Sequence, residues 1–309
     1  MVLVMLTLLS GLALAAQLNA HAFHRSGDFR LRTYLLRIVA ADAIRDAMHR
    51  LSDDEDIAVD HLDEPWAQPT EFYDPEGNIV HIVIVDENRF FDFNNLVVET
   101  PGNARPVQHI VQDIMTLGGD FTPMGRVGAL LDWIDTDSGG RLESQAYQHQ
   151  LPRYTPANRI ILGWNEALLV KGFDRERFGR STPREGQNIL SRSDLVDTMT
   201  FLPVPHTRVI PININTASEQ TLHGVIGIGK DQLLSRVLDR RSQGPFRRLD
   251  AAQLAVDPKE VEHLLPYISV RSTYFRIVAT AAQNDHATKI EALVQRDAEN
   301  NVTILQWLY

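Results

Sequence analysis

The residues best suited to chemistry sit in one stretch, LLDWIDTDSGGRLESQAY. Asp132, Asp135 and Asp137 fall within six positions, and Glu143 follows a glycine-rich turn. Glycine lets the backbone fold tightly enough to aim several oxygens at one point. Carboxylates this close repel one another unless a cation or an arginine compensates, and a hard cation such as Ca2+ gathers roughly six to eight oxygens. The acids take the first, fourth and sixth places of the loop and Glu143 the twelfth. An EF-hand instead needs acids at the first, third and fifth places and glycine at the sixth. Two readings therefore stand side by side: a metal-binding turn, or a solvated acidic loop in which Asp132 ends a helix.

A second stretch, ININTASEQTLHGVIGIGKDQLLSRVLDRRSQGPF, has the form of a helix-hairpin-helix. Asn215 or Thr216 would cap the first helix, with Glu219 in its first turn complementing the dipole. Gly227-Ile228-Gly229 would form the hairpin and present backbone amides to an anion beside Lys230. A second helix would run from Lys230 to Arg240. The functional reading is phosphate binding; the other is a helical packing module that meets no nucleic acid. Charge favours packing. Basic and acidic residues nearly balance from Val209 to Arg271, Asp231 stands beside the hairpin, and the whole chain carries a formal charge of −10. Non-specific DNA affinity comes from phosphate neutralisation by Lys and Arg, which this composition does not favour.

No stretch proposes an enzyme. The sequence has no nucleophile elbow, no phosphate loop of the G-x-x-x-x-G-K-[ST] type and no H-E-x-x-H helix. His21 and His24 are three apart and could share a ligand, but surface or headgroup-level histidines are far commoner. With no cysteine in the chain, disulfides and thiolate metal sites are excluded.

These stretches must be positioned by the rest of the chain. Val2 to Ala16 carry no charge, slightly short of the roughly 20 apolar residues that span a bilayer core. Ala13-Leu14-Ala15 has the small-x-small form of a secretory cleavage site, yet no basic residue precedes the run as a signal requires. A buried core helix is the third reading. The following residues favour a membrane anchor. Apolar side chains recur at Leu31, Tyr34, Leu35, Ile38, Val39, Ala43, Ile44, Ala47, Met48 and Leu51, near the helical period, while Arg32, Arg37, Asp42, Arg45 and Arg50 form a charged face. One helix reaching about residue 51 would be roughly 75 Å long. It would lie in lipid at one end and against a sheet at the other.

Residues 52–76, acidic and broken by Pro65, Pro69 and Pro75, read as a connection. GNIVHIVIVDENRFFDFNNLV then offers two candidate strands about a DEN turn. From about 99 to 271 the periods are helical. The end, TYFRIVATAAQNDHATKIEALVQRDAENNVTILQWLY, offers three alternating runs separated by QNDHA and RDAENN. With 309 residues, 44% of them apolar, the chain can fill two cores, or one core with a large insertion. The expected class is α+β. An N-terminal helix (1–51) precedes a first sheet portion (52–98), an inserted helical domain (99–271, its second half 209–271 resembling a helix-hairpin-helix) and the remaining strands (272–309).

The order of apolar N-helix, RFFDFNNLV, DWIDTD, LPRYTPANRIILGWNEALLVKGF, PININTASEQTL, GPF and ATKIEALVQRD resembles the general secretion pathway protein K family, the large minor pseudopilins of bacterial type II secretion. The resemblance covers nearly the whole chain. It implies a pilin-like long helix packed on an antiparallel sheet, with a large helix-hairpin-helix-like (SAM-like) domain inserted in that sheet and binding no DNA. It also implies structural Ca2+ at Asp132, Asp135, Asp137 and Glu143, and no enzymatic activity. The implied place is the bacterial inner membrane, single-pass, with the head in the periplasm. The implied partners are the lipid bilayer, the pseudopilus and the I- and J-type minor pseudopilins at its tip, where the chain would initiate assembly and limit growth. A pseudopilin begins with a short basic leader ending in Gly; none precedes Val2, so the sequence is expected to start late. No acid occurs before Asp28, which suits the K subunit. The alternative is a membrane-tethered helix-hairpin-helix protein for DNA binding or uptake.

Overall fold

A computed structural model describes residues 1–100, 102, 104–135, 145–148, 153–173, 195–250 and 262–308. Its helices are α1 (Val2–Ser52), α2 (Val107–Leu117), α3 (Pro123–Ile134), the single turns α4 (Gln145–Gln148) and α5 (Trp164–Ala167), α6 (Glu219–Ile226) and α7 (Asp231–Ser242). Its strands are β1 (Thr70–Tyr73), β2 (Ile79–Asp86), β3 (Phe91–Asp92), β4 (Met199–Thr200), β5 (Ile212–Asn213), β6 (Ile268–Ser269), β7 (Tyr274–Gln283), β8 (His286–Arg296) and β9 (Val302–Leu308). The chain divides into two compact units. One comprises Met1–Asp53, Pro65–Val85 and Arg276–Tyr309; the other comprises Asp54–Glu64 and Asp86–Phe275.

In the first unit α1 lies on an antiparallel sheet of order β1-β2-β7-β8-β9. Alternation dictates which strand faces are buried. Val80, Ile82 and Ile84 of β2 are buried, as are Ile277, Ala279 and Ala281 of β7. In β8 the consecutive residues Ala292, Leu293 and Val294 are all buried, because the pairing with β9 shifts between Leu293 and Val294. The stripe that α1 presents is Leu36, Ala40, Ala43, Ile44, Ala47 and Leu51, four of its six members small or β-branched. Alanines let the helix axis approach the sheet closely. The predicted stripe was right from Ala43 onward but began too early, since Leu31, Tyr34, Leu35 and Ile38 are exposed. Arg50 is no mere surface charge: it donates to Thr70 Oγ1 (2.5 Å) and to the carbonyls of Pro65 (2.9 Å) and Gln68 (3.2 Å), fastening the helix end to the connection that feeds β1.

The second unit is helical, with two short parallel pairings, β3 with β4 and β5 with β6. Its core gathers Phe91, Phe93, Ile110, Ile114, Trp133, Phe201, Leu222, Val225, Phe246 and Tyr267. Two expectations change here. The run after the DEN turn does not join the sheet as a second strand. Asp86 and Asp92 each accept an amide bond two residues on, from Asn88 (2.8 Å) and Asn94 (3.0 Å), and these bonds start 3-10 turns at Glu87–Arg89 and Phe93–Val97. An aspartate that captures the amide two positions ahead bends the chain out of a ladder. The compact units also divide at Val85 and Phe275, not at 98 and 271, and residues 54–64 of the expected connection belong to the helical unit.

Candidate functional site

The apolar half of α1 is the most exposed greasy surface of the first unit. Val2, Val4, Met5, Leu8, Leu9, Leu12, Leu14 and Leu18 are each more than half exposed, and no described side chain before Leu36 is buried. The helix is long and apolar enough to cross a membrane and is a candidate anchor. His21 and His24 lie on its exposed length.

The acidic turn follows α3. Pro123 stands at the start of that helix, and the loop before it is held by Asp120, which accepts from Thr122 N (2.9 Å) and pairs with Arg126 Nε (2.9 Å). Asp132 is half-buried inside the last turn of α3, and Asp135 is its C-cap, with its amide on the Leu131 carbonyl (2.9 Å). The helix thus ends at Asp135 and not at Asp132. Both carboxylates stand where the helix dipole is already negative, a position that favours cations. Trp133 of α3 forms an aromatic trio with Tyr147 and Tyr154, with centroids 5.4–6.1 Å apart. Glu166 accepts from Trp133 Nε1 (3.1 Å) and Leu162 N (2.9 Å) and pairs with Arg159 (2.9 Å). Burial, with the charges of Tyr154 and Asp132 nearby, pushes the Tyr147 hydroxyl above its ordinary pKa. Asp137 and Glu143 lie outside the described residues.

The hairpin turn is real, and its amide is occupied. Gly227 and Gly229 have φ of 114° and 88°, a region that favours glycine. The Ile228 amide, which would face a phosphate, donates to Asp113 Oδ2 of α2 (3.0 Å). Asp113 is in turn paired with Arg105, whose other nitrogen donates to the Gly224 carbonyl (2.7 Å). The chain's own carboxylate thus stands where a ligand anion would bind. The N-cap of α6 is Ser218, which accepts from Thr221 N (3.1 Å), and α7 runs from Asp231 to Ser242.

Asn215 and Thr216, expected as caps, instead belong to a buried polar latch. Asn213 Nδ2 donates to Ser272 Oγ (2.8 Å) and the Asp60 carbonyl (3.1 Å). Asn215 exchanges bonds with the backbone of Phe246, accepting from its amide (2.8 Å) and donating to its carbonyl (3.1 Å). Thr216 Oγ1 and Ser272 Oγ both donate to Asp86 Oδ2, and Ser272 N donates to Asp60 Oδ2 (2.6 Å). Burial lifts the Asp86 carboxyl to about 6 against the pull of those donors, with the Asp60 charge adding to the rise. Asp54, Asp60 and Glu64 bring carboxylate oxygens within 4.8 Å of one another. They also hold local backbone: Glu64 accepts from His61 N (2.7 Å) and Asp54 from Asp56 N (3.1 Å).

No family model matches the chain, and no curated protein matches it. Among solved structures, it is similar to a chain of the GspK–GspI–GspJ complex from the enterotoxigenic Escherichia coli type 2 secretion system. The TM-score is 0.70 at 20% identity, over 92% of this chain and 98% of that one. The fold is GspK-like.

Within a GspK-like fold, the quoted motifs acquire a physical meaning. Tyr147 and Tyr154 supply aromatic rings packed with Trp133 at the end of α3, and IN-x-NTA supplies the latch. The structure brings Asp132 and Asp135 to one helix end. Sequence reasoning missed Asp113, Arg105, Asp60 and Ser272, whose partners lie 115, 119, 153 and 186 positions away. Only the alternation of Asn with apolar residues in ININTA hinted at a buried polar face.

Proposed function

We propose that the chain is a non-enzymatic minor pseudopilin at the tip of a type II secretion pseudopilus, where it initiates assembly and limits growth for protein export across the outer membrane. One observation carries this reading: a single 51-residue helix is bare and apolar from Val2 to Ala16 and lies on a sheet from Leu36 onward. Such a helix stores the subunit in the inner membrane with its head in the periplasm, then exchanges lipid for neighbouring helices in the filament. The helical unit, inserted in sequence between β2 and β7, adds bulk that the repeating contacts of a shaft have no room to bury. GspI and GspJ, which accompany GspK in the similar structure, support I- and J-type subunits as partners here. Full-length chain in detergent, mixed with the I- and J-type pseudopilins of its own system, should elute as one ternary complex. Elution of the folded chain by itself would count against the assignment.

The acidic turn is proposed to hold structural Ca2+ through Asp132, Asp135, Asp137 and Glu143. Asp132 and Asp135 fit such an ion: both offer hard oxygens at the negative end of α3, and Asp132 makes no ion pair among the described residues. A bound ion would tie the loop to the helix end by neutralising that charge. Chelation should lower the unfolding midpoint of the full-length chain, and added Ca2+ should restore it. An unchanged midpoint removes the ion. The alternative of a tethered DNA receptor is disfavoured by Asp113 at the hairpin, and no retardation of duplex DNA is expected even at low salt.

A further inference from the structure

We propose that the helical unit carries an open binding pocket for a small multivalent oxyanion, of the phosphate-ester or polycarboxylate class, lined by Arg89 and Arg241. The cavity holds about 410 Å³ between the start of α6 and the end of α7, and its wall includes His61, Arg89, Ser218, Arg241 and Ser242. It lies at the opposite end of α6 from the glycine hairpin, so it is separate from the amide that Asp113 occupies.

Two arginines share the cavity wall with one carboxylate, Asp63, and Glu219 in the first turn of α6 acts on Arg241 from nearby. Arg241 uses one nitrogen to donate to the carbonyls of Ala217 (2.6 Å) and Ile214 (3.1 Å), which fixes the plane of its guanidinium at the wall. Neither bond is to a carboxylate. Arg89 lies over the Phe90 ring at 5.6 Å, and its buried Nε has no hydrogen-bond partner among the described residues. Among the described residues neither arginine forms an ion pair. Burial depresses the Arg241 pKa; Glu219 opposes that fall and the like charge of Arg89 adds to it. Two guanidiniums held together repel each other unless an anion bridges them, and guanidinium forks match oxyanion geometry bidentately. Ser218 caps the positive end of the α6 dipole at the same wall, which adds to the attraction for negative charge. Two acids oppose this charge: Glu219, which acts on Arg241 but makes no ion pair with it among the described residues, and Asp63 at the rim, whose side chain is 94% exposed and 3.9 Å from His61, so water screens it. The volume exceeds what a bare monovalent ion fills, and two fixed cations select a ligand with at least two negative charges.

The test uses full-length chain in non-ionic detergent, titrated calorimetrically with inorganic phosphate and, separately, with citrate. Chloride holds the ionic strength constant. Saturable binding of one equivalent is expected for at least one probe. Arg89→Gln should weaken it about tenfold or more, the equivalent of about 1.4 kcal/mol, without touching the carbonyl bonds of Arg241. Arg241→Gln should abolish it, with circular dichroism confirming the fold. Arg248→Gln, at an exposed arginine away from the cavity wall, should leave it unchanged. Phosphate alone binding assigns the phosphoryl class, citrate alone the carboxylate class. Absence of saturation below about 10 mM for both probes overturns the proposal, as does an equal loss in Arg248→Gln.

Discussion

Asp86 shows how one buried carboxylate can govern the behaviour of a whole unit. It accepts from Ser272, Thr216 and the Asn88 amide, yet burial keeps its proton bound up to about pH 6. A carboxyl whose folded pKa lies above its ordinary 3.8 binds protons more tightly in the native state. Its contribution to stability is therefore greatest below pH 4 and is lost as pH rises from about 4 to 6, by roughly 3 kcal/mol on the linkage relation. Asp92 and His206, paired at 2.7 Å, move the same way: burial raises Asp92, and the bond and charge of Asp92 carry His206 upward against its own burial. Urea unfolding of the wild type between pH 4 and 7 should show this decline, and Asp86→Asn should flatten the part between pH 4 and 6. Identical slopes in the two proteins would show that the latch carboxylate is not the titrating group. None of this was legible in sequence. Asp86 read as a turn residue in DEN, correctly, but its second oxygen serves hydroxyls 130 and 186 positions distant.

Elements were legible where period and burial agree, and misread where side chains compete with the ladder. The last three strands, the long helix and the glycine hairpin stand as expected because each is set by local alternation, helical spacing or positive φ. RFFDFNNLV has strand composition, but Asp92 and Asn94 spend their polar atoms on the backbone of residues 161 and 202, and the segment turns into the helical unit. The expected stripe of α1 held Ala43, Ile44, Ala47 and Leu51 but missed Leu36 and Ala40, which the sheet also buries. Packing in the helical unit is equally tight at one glycine. A Cβ at Gly224 of α6 would meet Ile114 Cγ1 in hard overlap and Ile114 Cα of α2 at 3.2 Å. Helical propensity alone makes Gly→Ala favourable by up to about 1 kcal/mol. Here the clash is with backbone as well as side chain and should win, so Gly224→Ala should destabilise by about 1–3 kcal/mol. Denaturant unfolding checks the sign. Stabilisation would mean that α2 and α6 are not in such close contact.

At the scale of the whole molecule, anchoring and folding use different parts of α1. Every described side chain that α1 buries lies at Leu36 or beyond, whereas the aliphatic run ends at Ala16. Introducing charge into that run should therefore damage membrane residence without touching the folded units. Leu9→Asp with Leu12→Asp places two carboxylates in the middle of the run, each costing about 2.5–3.5 kcal/mol of insertion free energy at a helix centre. Cell fractionation should move the doubly substituted chain out of the membrane pellet, while its thermal unfolding midpoint in solution matches that of the parent chain in detergent to within a few degrees. Both readouts are needed, because a destabilised head would also leave the pellet as degraded protein. A shifted midpoint would mean that the first residues contribute to a fold they do not touch here. Retention in the membrane would place the anchor elsewhere, and the storage step proposed for the pseudopilin would lose its physical basis.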